Sequence, residues 1–183
     1  EGISGTSRKA QVIGEIGTSK DKATEEEKRV FNAMVDAQLK TNVPISTHTS
    51  LATLGKEQVE FLLSKGVDPG KIIIGHMDLS MDIDKILDIL SMGVYVGFDT
   101  IGKNSYAPDD FRCEALQIIK EKGYINQVVL SLDITRKSHL KKNGGLGYTH
   151  IFTSFIPNLK EAGLNDDDID KLLRKNPSKI FLD

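Results

Sequence analysis

The chain has 183 residues, 39% hydrophobic and 27% charged, with a formal net charge of −2 and a pI of about 6.1. This is the composition of one soluble globular domain, and it excludes the clustered cationic surface of a protein built for nucleic acid or an anionic membrane. One cysteine, Cys113, leaves no intrachain disulfide and fits a reducing, cytoplasmic compartment, while no apolar run approaches the roughly 20 residues that cross a bilayer.

In chain order, a loop-like "EGISGTSRKA" without an initial Met leads to the apolar run "AQVIGEIG" (10–17). "TEEEKRVFNAMVDAQLKT" then reads as a helix. Thr24 and Glu27 form a capping-box signature, and Val30, Met34, Ala37 and Leu39 give an apolar stripe. "VPISTH" (43–48) is the second run, followed by "KEQVEFLLSKG", whose Gly66 is placed as a helix C-cap. "KIIIGH" (71–76) precedes "MDIDKILDILSMG", which stops at Gly93. "GVYVGFD" (93–99) precedes "DDFRCEALQIIKEKG", and "QVVLSLD" (127–133) precedes a long basic, Gly-rich loop. A last helix, "NDDDIDKLLRKNP", is expected to end at Pro177.

Runs of Val, Ile and Leu without clean alternation are typical of parallel strands covered on both faces. Strand followed by helix, repeated without a dividing linker, is the pattern of a single α/β domain. Periodicity alone leaves two architectures open, a doubly wound sheet and part of an eight-stranded barrel. A complete barrel generally needs about 200 residues or more.

In both architectures ligands gather at the carboxyl ends of the strands. Those ends carry Glu15, His48, His76 with Asp78, Asp99 and Asp133. Two imidazoles among several carboxylates match the donors of zinc or a similar divalent ion. Each residue also has an ordinary reading. A single strand-end histidine is commonly a hydrogen-bonded structural residue, and Glu15 or Asp133, each expected to be buried in an apolar strand, can be half of an ion pair. Arg136, Lys137 and His139 in the basic loop are either solvated surface or donors to an anionic substrate.

The stretches "GEIGTS", "PISTHTS", "GHMD", "FDTIGKNSY", "LSLDITRKSHL", "NGGLGY", "FIPNL" and "NPSKIF" together resemble the phosphotriesterase family of the amidohydrolase superfamily, over essentially the whole chain. The resemblance implies a (β/α)8 TIM barrel with two divalent metal ions, zinc first among candidates, at its carboxyl rim. Glu15 stands where the family places its metal-bridging residue. His48 and His76 match the ligands of the fifth and sixth strands, and Asp133 the aspartate of the eighth. The family's His-x-His pair is missing, so residues 1–183 are expected to be the C-terminal part of a single barrel domain, strands four to eight. The implied reaction is metal-dependent hydrolysis of an ester-like bond (lactone, carboxylic ester or phosphate ester) by a hydroxide bridging two divalent metals. Asp133 would take its proton, and Asp78 is expected to orient His76 from behind. Lys103, Tyr106, Arg136, Lys137 and His139 are expected to bind a small-molecule substrate, an anionic one being favoured. Two rivals remain, a non-catalytic α/β module gripping a small anionic ligand and an inactive metal-binding fragment. No nucleic-acid or membrane partner is expected, and a homodimer is compatible with the sequence.

Overall fold

The five apolar runs form one parallel sheet in a computed structural model that describes residues 2–182. The strands are β1 (Ile13–Thr18), β2 (Ile45–Thr49), β3 (Ile72–Ile74), β4 (Tyr95–Phe98) and β5 (Val128–Leu130). Their order in the sheet is their order in the chain. A doubly wound sheet reverses its strand order at a switch point, and this one does not. Right-handed crossovers that always advance in the same direction leave every crossover helix on one face, which is how a barrel wall is wound. The doubly wound alternative is thereby removed.

Successive strands pair Ile45 with Ile72, Ile74 with Val96, and Val96 with Val128. All five residues are fully buried and belong to the core between sheet and helices. Complete burial of one such side chain contributes about 1.5–3 kcal/mol. Ile73 and Tyr95 point the other way and pack with Ile180 from the C-terminal helix. That helix is anchored at the amino ends of the strands. Asn176 donates to the carbonyls of Ile125 and Val128 at 2.9 and 2.7 Å, and Lys71 Nζ donates to that of Ile180 at 3.4 Å. The carboxyl ends lie at the opposite edge of the sheet.

The crossover helices are α1 (Glu25–Thr41), α2 (Gly55–Ser64), α3 (Ile83–Ser91) and α4 (Asp109–Glu121). The Thr24–Glu27 capping box is formed reciprocally. The buried face of α1 is Phe31, Met34, Val35 and Gln38, one side of a 3.6-residue period, while Val30 and Leu39 of the expected stripe stay exposed. After the basic loop, a π-helical turn (Ile151–Phe155) runs into α5 (Ile156–Glu161). Next come α6 (Asp166–Asp170), a second π-helical segment and α7 (Asn176–Leu182). The helix therefore passes through Pro177 instead of ending there. The preceding π segment re-phases the backbone bonds around an amide that proline cannot donate. No helix among the described residues is long and apolar enough to cross a membrane.

Candidate metal centre

Parallel pairing carries polar residues of consecutive strands to one rim. Gly17 of β1 pairs with His48 of β2, placing that imidazole beside Glu15. A Cβ on Gly17 would lie 2.6 Å from the Cβ of His48, so only glycine leaves that side chain its place. Gly97 of β4 does the same for Asp99, whose Oδ2 would sit 2.5 Å from an added Cβ. His76, just beyond β3, has a left-handed backbone (φ 59°) that turns the chain sharply at the strand's tip.

The ligand atoms of Glu15, His48 and His76 lie within 4.8 Å of one another. Glu15 Oε1 is 2.8 Å from His48 Nδ1 and 2.8 Å from His76 Nε2, and the two ring nitrogens are 2.9 Å apart. Asp99 Oδ1 lies 2.7 Å from His76 Nδ1, so that nitrogen carries the proton. In neutral His76 the lone pair of Nε2 is then aimed at the Glu15 carboxylate, an arrangement that calls for a cation between them. Burial of His76 disfavours its protonated form. The hydrogen bond and charge of Asp99, with the charges of Glu15 and Asp133, outweigh that and raise its pKa to about 9. That negative field favours a cation held against Nε2, a proton or a metal ion alike. Ligands around tetrahedral zinc stand about 3.3 Å apart, so the cluster needs to open by only a few tenths of an ångström. The donor set fits the metal.

Three sequence expectations are corrected. The carboxylate that orients His76 is Asp99, which also accepts the His76 backbone N–H at 3.0 and 3.1 Å. Asp78 is turned away and fully buried. Its Oδ2 accepts from Arg112 Nε at 2.6 Å and Thr100 Oγ1 at 2.5 Å, because the left-handed turn at His76 points it at α4. Burial and the nearby Asp99 charge raise the pKa of Asp78, against Thr100 and Arg112. Second, Glu15 is not buried. Its side chain is 45% exposed, on the open inner face of the sheet. Third, Lys137 is exposed and does not line the cavity that Arg136 and His139 line.

Asp133 stands outside the three-residue cluster. Its carboxylate is held by the ammonium of Lys103, which also donates to the Asp133 carbonyl at 2.7 Å. Asp133 nevertheless lines three cavities around the rim. One of about 400 Å³ includes Glu15, His76 and Asp99. Another of about 290 Å³ includes His48, His76, Lys103 and Tyr106. The third, of about 480 Å³, includes Lys103, Tyr106, Arg136 and His139. The expected substrate residues other than Lys137 are thus gathered beside the cluster. Cys113 lies on the buried face of α4, and burial pushes its thiol up to about 12, which makes it unreactive. Arg112 is the site residue that sequence reasoning missed. Its signal was a guanidinium on the same helix face as Cys113, Leu116 and Ile119, all buried.

The phosphotriesterase family model matches residues 1–181. Phosphotriesterase homology protein of Escherichia coli (strain K12) is 50% identical over 181 residues, covering 99% of this chain and 62% of the relative. A crystal structure of that protein complexed with phosphate in its active site superposes with a TM-score of 0.95, again over 99% of this chain and 62% of the other. N-acetyltaurine hydrolase of Dictyostelium discoideum is 35% identical, over 98% of this chain and 52% of its own. Aryldialkylphosphatase of Saccharolobus solfataricus is also 35% identical, over 99% and 60%. The chain spans between half and two thirds of the length of these relatives, and its five-stranded sheet is a portion of a (β/α)8 barrel. The last two of these relatives are named for hydrolysis of different bonds, and the chain belongs to the phosphotriesterase family.

Proposed function

We propose that the chain carries strands four to eight of a metal-dependent hydrolase acting on ester-like bonds, lactones foremost. The observation that carries this is the convergence of Glu15 Oε1, His48 Nδ1 and His76 Nε2, with Asp99 fixing the tautomer of His76. Glu15 and the two histidines would hold one divalent ion, zinc by donor type. Glu15 and Asp133 would help to hold a second ion. When bound, such ions supply Lewis acidity and acidify a water near neutral pH.

The remaining work falls to side chains. Asp133 faces the same cavity as Glu15 and His76 and is the proton acceptor for the attacking water. Before that it must part from Lys103, which covers its carboxylate. Lys103 then becomes a free cation beside Tyr106, Arg136 and His139. Together they suit a phosphate, sulfonate or carboxylate placed away from the scissile bond. Two relatives support an anionic substrate, one crystallised with phosphate in its active site and the other named for N-acetyltaurine, an amide ending in a sulfonate.

Elemental analysis of the intact protein tests the reading. We expect about two divalent ions per chain, as in two-metal hydrolases. Protein that binds no transition metal after reconstitution would rule the reading out.

A further inference from the structure

We propose that Arg112, which touches none of the cluster residues, is a positioning residue that sets the shape of the segment 99–109 and so aims Lys103 and Tyr106 at the site. The consequence for substrate rests on the hydrolase reading above. The consequence for the segment itself does not.

Arg112 projects from α4 and is 0% exposed. Its guanidinium spans both ends of one loop. At the start, Nη2 donates to Thr100 Oγ1 at 2.7 Å. At the end, Nη1 donates to the Ala107 carbonyl at 2.5 Å and to Asp109 Oδ1 at 2.8 Å. Between these anchors, Asp109 Oδ1 also accepts the Gly102 N–H at 3.0 Å, and Asn104 Oδ1 accepts the Asp109 N–H at 2.9 Å. Lys103 and Tyr106 are therefore carried on a short arch fixed at its feet. Nε completes the fork by donating to Asp78 Oδ2 at 2.6 Å, two residues after His76. A single planar group thus ties the turn bearing His76 to the loop bearing Asp99, Lys103 and Tyr106.

A buried ion pair is by itself poor evidence of a stabilising role, since apolar side chains of equal volume generally do as well. What an apolar residue cannot supply is a rigid set of donors to a carboxylate, a hydroxyl and a backbone carbonyl held at fixed angles. Lysine cannot either, because its ammonium is a point charge that reaches only part of that set.

The test is Arg112→Lys in the intact protein, with Thr100→Val as a second variant that keeps the Arg112–Asp78 pair and removes the anchor at the loop's start. Amide exchange across 100–108 should rise by about tenfold or more, with the protection of β3 and β4 and the metal content unchanged. KM for a phosphorylated lactone should rise about tenfold, with kcat preserved and a neutral lactone affected far less. Unchanged exchange across 100–108 overturns the proposal, as do equal KM changes for both lactones. If Arg112→Lys fails to fold, Thr100→Val decides by the same readings. If the parent protein hydrolyses neither lactone, the hydrolase reading fails, while the exchange measurement still decides whether Arg112 shapes the loop.

Discussion

His76 and Asp99 are joined twice. The Asp99 carboxylate lies 2.7 Å from the ring Nδ1 and accepts the His76 backbone N–H at 3.0 Å. The pair spans neighbouring strands, so ring orientation and tautomer are fixed by the sheet itself. An asparagine at position 99 keeps the shape and removes the charge. Asp99→Asn should weaken metal binding about 10–100-fold, as loss of a carboxylate behind a ligand histidine commonly does. Chelator competition measures it. Wild-type affinity in the variant would leave Asp99 a purely structural role.

Asp78 should behave differently, although it is the closer of the two in sequence. Its loss leaves the Arg112 guanidinium buried without its anion. Asp78→Ala should cost about 3–5 kcal/mol of stability. Denaturant unfolding of the metal-loaded protein checks this, and a loss below about 1 kcal/mol, the range of exposed pairs, would contradict it.

Glu15→Gln retains the size of the side chain and removes its charge. Because Glu15 Oε1 contacts both histidine nitrogens, bound metal and hydrolytic rate should fall together. A variant keeping both would make Glu15 an ion-pair partner only.

The raised pKa of His76 gives the metal-free protein a definite pH dependence. A histidine whose folded pKa lies above its unfolded value adds stability that is fully present below about pH 6.5 and disappears as pH rises through about 9. Thermal melts of chelator-treated protein should therefore show this contribution declining between those limits. A metal must displace that same proton, so apparent affinity should climb by up to about tenfold per pH unit until pH 9 and then level off. An affinity flat from pH 6.5 to 9 would mean that no proton leaves His76 on binding.

The strands and the rim were legible because both are periodic features. Each apolar run ends where its polar residue begins, and parallel pairing turns successive ends into neighbours in space. What the sequence concealed was of another kind. Asp78 was read as the partner of His76 because it is two residues away, whereas Asp99 is 23 residues away and adjacent only through the pairing of β3 and β4. The π segment before Pro177 and the inward use of Arg112 depend on tertiary contacts that a local pattern does not encode. Its apolar strand neighbours make Glu15 look buried, but it lies on the face of the sheet that the crossover helices do not cover.

Arg136 and Lys137 are adjacent cations with different surroundings. Arg136 lines the cavity shared with Lys103, Tyr106, Asp133 and His139, and Lys137 does not. Sequence gives no reason to treat them differently, since both follow β5 in the same basic loop. A guanidinium facing the cavity supplies paired donors to an anionic group remote from the scissile bond, so its loss should weaken binding and leave chemistry alone. Arg136→Ala should raise KM for a phosphorylated lactone about tenfold or more with kcat largely preserved. Lys137→Ala should change neither constant, and both variants should retain the metal content of the parent. The measurement is steady-state kinetics on matched lactones with and without the phosphate. A KM increase of the same size for the neutral lactone would show that Arg136 shapes the loop without reading charge. An equal effect of Lys137→Ala would show that the anion is gathered by the general field of the loop, with no directed contact from Arg136.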